Sequence, residues 1–320
     1  MPTRSAREHG PVASAIGPGV PPGEFALRVH SVFRGALNLR LTGQELLVTL
    51  LGTDAPDSPQ GIRLGEAPDF RTWGVAPGAE GYLGRDALTL STGAGGSVGV
   101  DLSRARRLAP LPLPRVSRLG PAFDGCVGAL EAEQLGRACE LRLAPLFELD
   151  RGNGGARDGG GRLIEAAREL GAAAVRLSAE HARLAACGLV GLGAGSTPAG
   201  DDFLCGFLAA LGSAAGDRIA HRAFLDGLRE AVAGLLPATT DLGANALRCA
   251  LRELVPAPLH ELAAALAAGR TPEARSALGR ACAQGHSSGA DLCTGFLYGL
   301  GLWLRAGADA GRTARARLPS

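Results

Sequence analysis

At 320 residues and 32.4 kDa, the chain is long enough for two domains, and its 33 basic and 31 acidic residues nearly cancel. No basic stripe interleaved with aromatics is present, which argues against a nucleic-acid partner. The seven cysteines form no C-x-x-C pair. Cys187, Cys205 and Cys293 sit among apolar residues and read as small buried hydrophobes of a reducing compartment. The start lacks the apolar core of a signal peptide, and the apolar runs Leu204–Leu211 and Phe296–Leu304 are too short and glycine-broken to span a membrane. A cytoplasmic protein with no membrane partner is expected.

Residues 1–24 read as a loose arm. A β-rich domain follows over 25–119, with strand signals at Leu37–Leu41, Glu45–Leu51, Gly61–Leu64, Ala87–Ser91 and Ser97–Leu102, separated by glycine, proline and aspartate turns. The prolines at Pro110–Pro114 mark a boundary. Helical spacing then begins with Val127, Leu130, Gln134, Leu135 and Ala138. Arg151–Gly161 reads as a flexible loop; as a phosphate cradle it would lack the lysine–serine/threonine ending of a P-loop. Helical patterns resume at Leu163–Leu170 and His181–Ala186 and recur through Asp291–Leu304, so residues 120–306 form a mostly helical domain and 307–320 a tail. The fold class is α+β: a β-rich N-terminal domain followed by a mostly α-helical C-terminal domain.

The most informative stretch is GLGAGSTPAGDDFLCGFLAAL, from Gly191 to Leu211. Gly191, Gly193 and Gly195 allow positive φ and close approach to a ligand. Ser196 and Thr197 precede Pro198, so Thr197 is expected to cap a helix with Pro198 as its first residue. With Gly200, this helix start offers N–H groups to a phosphate or carboxylate. Asp201 and Asp202 follow, about 100° apart around a helix, so they are not expected to serve one small site together. Both have a plain reading as carboxylates that stabilise the positive end of a helix. As functional groups, one orients a substrate or binds Mg²⁺.

The second motif, His286 to Gly301, reads HSSGADLCTGFLYGLG. With Gly289 placed on Gly200, the pattern G-x-D-x-x-x-G-F-L repeats 89 residues later: Asp291 falls on Asp202, Gly295 on Gly206, Phe296 on Phe207. Aspartate and glycine four apart share a helix face, so Gly206 and Gly295 should let two helices cross closely and bring Asp202 and Asp291 toward one pocket. Ser288-x-x-Asp291 resembles a capping box, with Ser287 beside it. His286 is an acid/base or hydrogen-bond donor in the functional reading and a structural histidine in the other. Thr239 and Thr240, before Asp241, read as a helix cap, and Asn245 lies in the helix they open. In the first domain, His30, Ser31, Arg34 and Asn38 form a polar set, in which Arg34 and Asn38 would share a face if that segment were helical.

The core Thr197-Pro198-Ala199-Gly200-Asp201-Asp202, then Leu204 and Gly206, resembles the AllH-like family, a former domain of unknown function associated with a subunit of oxamate carbamoyltransferase in anaerobic allantoin breakdown, a branch of purine catabolism. Gly285, His286, Ser287, Ser288, Gly289, Asp291 and Gly295 resemble its second motif, and Val29–Phe33 with Asn38 its N-terminal part, so the likeness spans roughly residues 25–305. Ala199 stands where members commonly carry serine. Ala194 and Ser196 replace the usual proline and leucine.

The resemblance implies an enzyme subunit that interconverts oxalurate plus phosphate with oxamate plus carbamoyl phosphate, or acts on a similar ureido acid, beside other subunits of the complex. Asp202, Asp291, His286 and Asp201 are then the catalytic candidates. Gly193, Gly195, Ser196, Thr197, Gly200, Ser287, Ser288, Gly289, His30, Arg34 and Asn38 are the anion-binding ones. Asp202 and Asp291 are also the candidate ligands if Mg²⁺ is a cofactor. Two other readings stand beside this one: a non-catalytic assembly subunit whose glycine-rich helices form an interface, and a stand-alone Mg²⁺-dependent hydrolase or phosphotransferase.

Overall fold

The computed structural model describes residues 10–93, 95–137, 139–147 and 159–315, and the chain divides into two compact units between Leu111 and Pro112. The architecture is α+β, a curled sheet followed by a helical region.

In the first unit the strands are β1 (Ala13–Ile16), β2 (Phe25–Val32), β3 (Ala36–Leu41), β4 (Leu47–Leu51), β5 (Gly61–Leu64), β6 (Glu80–Leu83), β7 (Ala87–Ser91), β8 (Ser97–Asp101) and β9 (Arg106–Arg107). They form one sheet in the order β8-β7-β6-β2-β3-β4-β5-β1-β9. Only β4–β5 and β1–β9 pair in parallel among the described strands. A bridge from Val12 to Asp101, with the Asp101 N–H donating to the Pro11 carbonyl at 2.9 Å, draws the two ends of the sheet together into a half-barrel. Alternation sets the inside: Leu37, Leu39 and Leu41 on β3 are fully buried and pack with Val48, Leu50, Ile62 and Leu64.

The expected loose arm at 1–24 contains β1, which pairs with β5 and β9. Its four residues are too few to show alternation, and the glycines and prolines after it read as loop. A helical placement of Arg34 and Asn38 on one face is also wrong. Residues 33–35 are a hairpin connection closed by the Phe33 N–H on the Ala36 carbonyl at 2.8 Å, with Ser31 opposite Asn38.

The second unit contains α1 (Pro121–Leu135), α2 (Leu143–Phe147), α3 (Gly159–Arg176), α4 (Ala179–Cys187), α5 (Ala199–Ala215), α6 (Ile219–Leu235), α7 (Asp241–Leu251), α8 (Ala257–Ala267), α9 (Thr271–Cys282) and α10 (Ser288–Arg315). Residues 151–158 of the expected flexible loop lie outside the described residues; 159–161 open α3. The last helix runs on to Arg315, into the stretch expected as a tail.

α5 lies at the centre, with nearly every residue buried, and its main partner is α10. The two helices run parallel. Thr197 meets Ser288 at their starts, Gly206 and Gly295 face the partner backbone a few turns on, and Gly299 faces Ala210 further still. A Cβ on Gly206 would lie 1.9 Å from the Leu292 carbonyl oxygen, and one on Gly295 would lie 2.0 Å from that of Phe203. Leu292 and Phe203 are themselves equivalent in the 89-residue repeat, so the glycine contacts are reciprocal. Low aromatic content and abundant small residues thus produce a helix pair in backbone contact.

Among the cysteines, Cys205 and Cys293 are buried as expected, but Cys187 is exposed because it closes α4 on its outer side; all seven are free thiols.

Candidate functional site at two parallel helix starts

The repeat extends to the hydrogen bonds that begin each helix. The Asp201 and Asp202 N–H groups donate to the Pro198 carbonyl, and the equivalent Ala290 and Asp291 N–H groups donate to that of Ser287. Gly200 N–H donates back to Leu192 at 2.9 Å, and Gly289 N–H to Gln284 at 3.0 Å. A Cβ on either glycine would lie 2.0 Å from a preceding carbonyl oxygen, that of Leu189 or Ala281. Each start is therefore clamped to the chain before it, and part of the N–H array expected to hold an anion is committed internally.

The expected caps are corrected. Pro198, not Thr197, is the N-cap of α5, and no side chain caps it. Ser288 is the first residue of α10 rather than its cap. Both hydroxyls are instead turned to each other, Thr197 Oγ1 to Ser288 Oγ at 2.8 Å, joining the two starts. Both lie close enough to the Asp202 carboxyl to lower its pKa.

The two adjacent aspartates have different surroundings. Asp201 is fully buried and fully partnered: Oδ1 accepts from the Gly191 N–H at 2.8 Å and Oδ2 from the Thr239 hydroxyl. Thr240 caps α7 through the Gly243 N–H at 2.9 Å and donates its hydroxyl to the Ser196 carbonyl at 2.6 Å. Asp201 thereby anchors the glycine loop to the start of α7, which is a structural task. Asn245 is buried on α7, the helix that packs against α5.

Asp202 is 8% exposed and its Oδ2 is buried without a partner. Burial pushes its carboxyl well above the usual range; the Ser288 and Thr197 hydroxyls pull the other way, and Asp291 adds repulsion. Asp291 is fully buried with neither oxygen hydrogen-bonded. Burial raises its pKa to about 7; Ser287 and the Leu141 backbone lie close enough to temper that rise, while the Glu140 charge adds to it. Unpartnered buried carboxyls are costly, and in native proteins each calls for a reason, a functional role or a bound water or ion among them.

The loop glycines behave as their spacing implies, with φ of 75° at Gly191, 123° at Gly193 and 91° at Gly195. Gly195 and Ser196 are exposed, so the loop reaches solvent. His286 is exposed, and its carbonyl accepts from Arg137, which also bonds the Cys282 carbonyl at 2.9 Å. Arg137 therefore brings a cation to the turn before α10, although none lies inside either motif.

His30, Arg34 and Asn38 are in the first unit. Asn38 is buried and donates to Ser31 Oγ at 2.9 Å; His30 Nδ1 lies 3.0 Å from the same oxygen, and Thr49 donates to Asn38 Oδ1 at 2.7 Å. Arg34 is exposed, near Asp69.

Sequence reading missed Glu140. Its Oε1 accepts from the Ala194 N–H at 3.1 Å, and its Oε2 lies 3.1 Å from where a Gly193 Cβ would be. A lone glutamate outside any motif carries no signal in the sequence. Thr239 as partner of Asp201 was likewise hidden by its distance along the chain.

Among the described residues no group of three His, Cys, Asp or Glu side chains could hold a metal, so a cation here would rest on the Asp202 and Asp291 pair. No helix among them is long and apolar enough to cross a membrane.

A curled sheet followed by a helical region with a duplicated glycine–aspartate start defines a two-part α+β protein whose conspicuous site is a pair of helix N-termini. The chain belongs to the AllH family: residues 13–107 match the AllH family N-terminal domain and residues 189–300 match oxamate carbamoyltransferase subunit AllH. The first match coincides with the sheet and the second takes in both motifs. Among curated proteins and solved structures nothing matches the chain.

Proposed function

We propose that this chain serves a carbamoyltransferase complex by holding a small anion (a ureido acid such as oxalurate, its product oxamate, or phosphate) at the joined starts of α5 and α10. The observation that carries this reading is the pair of buried carboxyls, Asp202 and Asp291, with unpartnered oxygens at two parallel helix N-termini. Two positive helix ends side by side favour negative charge. Carboxyls kept protonated by burial donate hydrogen bonds to it, as carboxylates could not. Thr197 and Ser288 supply hydroxyls. With a partner subunit bringing carbamoyl phosphate or oxalurate, the same donors would stabilise charge developing on the transferred carbonyl.

The glycine faces of α5 and α10 are spent on each other. An assembly role would therefore rest on other surfaces, and among the described residues no third His, Cys, Asp or Glu joins the Asp202 and Asp291 pair for the stand-alone Mg²⁺ reading. The test is calorimetric titration of the purified chain with oxamate and with phosphate, then turnover of oxalurate plus phosphate with the partner subunits. D202A and D291A, which remove the donor, should each weaken binding at least tenfold and lower turnover while keeping the fold. Unchanged binding and turnover in both variants would refute the assignment.

A further inference from the structure

The glycine loop already holds a carboxylate. Glu140, from the stretch between α1 and α2, places one oxygen on the Ala194 N–H at 3.1 Å and the other over Gly193, where a Cβ would lie 3.1 Å away. Gly193 has φ of 123°, so a side chain there would be strained as well as crowded, and the carboxylate lies against bare backbone. Among the described residues the Ala194 N–H is the only hydrogen-bond partner of Glu140, and no arginine pairs with it. A half-buried carboxylate thus rests on a single neutral donor, at the solvent-reaching edge of the loop. It also lies near enough to Asp291 for its charge to act there. Asp291 is fully buried with two unpartnered oxygens, so the neighbourhood contains a second carboxyl that is poorly solvated.

We infer that the Gly193–Ala194 backbone is a carboxylate subsite, occupied by Glu140 until the carboxylate of a small ligand takes its place. This rests on the proposed anion site and adds the chemical class of the group bound there. One feature favours displacement: a ligand carboxylate can meet the loop and, with its remaining polar atoms, reach Asp291, Ser288 and Thr197, which Glu140 leaves without new partners. A planar carboxylate fits the two-residue stretch better than a tetrahedral phosphate, so carboxylates should compete with Glu140 more effectively than phosphate does.

The test uses the full chain and compares wild type with Glu140→Gln and Glu140→Ala, titrated with oxamate and, separately, with inorganic phosphate. The glutamine variant keeps the shape and removes the charge; the alanine variant clears the loop. Circular dichroism confirms that each is folded. Both variants should bind oxamate about three- to tenfold more tightly than wild type, with a smaller gain for phosphate. In the amide NMR spectrum, oxamate added to wild type should shift Ala194 in the same direction as the alanine substitution does. If wild type binds oxamate and both variants bind it equally or more weakly, the subsite is refuted while the anion site stands. If no form binds either anion, both fall. An equal gain for phosphate would refute the carboxylate preference.

Discussion

The starts of α5 and α10 are two versions of one device, and their difference separates structure from site. Both share the glycine clamp, the backbone bonds to Pro198 or Ser287, and a buried aspartate at the fourth position, Asp202 or Asp291. They differ in what leads to them. Residues 188–198 wind through three left-handed glycines before α5, whereas residues 283–287 make a short turn before α10. The long approach has Asp201 to tie it down; the short one has Ala290 at the equivalent place and no such anchor. The aspartate found once goes with the loop. The aspartate found twice goes with the proposed site.

The largest effect should come from breaking what the halves share. Gly206→Ala or Gly295→Ala would drive a methyl into a carbonyl oxygen at about half of normal contact distance, and backbone cannot step aside as a side chain can. A loss of about 3 kcal/mol or more is expected, read as a fall in thermal or urea midpoint. A smaller loss, about 2–3 kcal/mol, should follow Asp201→Ala, which removes both bonds anchoring the loop. The matching change at Ala290, to serine, should leave loop order untouched.

Asp291→Asn should act in the opposite direction. Burial raises the folded pKa from 3.8 to about 7, so the folded chain binds the proton more tightly than the unfolded chain. The associated stability is present below pH 3.8 and is lost as pH rises toward 7; the shift corresponds to at most about 4 kcal/mol. The neutral variant should therefore match wild type near pH 4, be more stable at pH 8, and bind anions with an affinity that no longer changes between the two. A variant less stable at pH 8 would place Asp291 with Asp201, as an anchor. Smallest is the pH effect on ligand: oxamate affinity of wild type should weaken severalfold between pH 6 and 8, as Asp291 loses the proton it donates, and calorimetry would show proton uptake on binding.

Much of the architecture was legible because it follows from pattern. Alternation marked β3, turn residues set off the short strand at β7, and spacing of apolar residues marked the helices from α3 to α10. The repeat identified the helix pair, since only glycine at 206 and 295 permits such contact. What escaped was set by tertiary partners. β1 is four residues long and becomes a strand through β5 and β9. Thr197 and Ser288 looked like caps, because their local sequence cannot reveal that each hydroxyl has the other to bond. Glu140 reaches the loop across 54 residues, and nothing local announces it.

The backbone contact between α5 and α10 also bears on the order in which the chain is made. α5 is almost wholly buried, yet its chief covering, α10, is synthesised long after it, with four helices in between. During that interval α6 and α7 can cover part of α5, but the glycine face that α10 takes stays open. The helical unit therefore completes its core only when α10 arrives, and until then α5 presents an apolar strip of the kind that chaperones recognise.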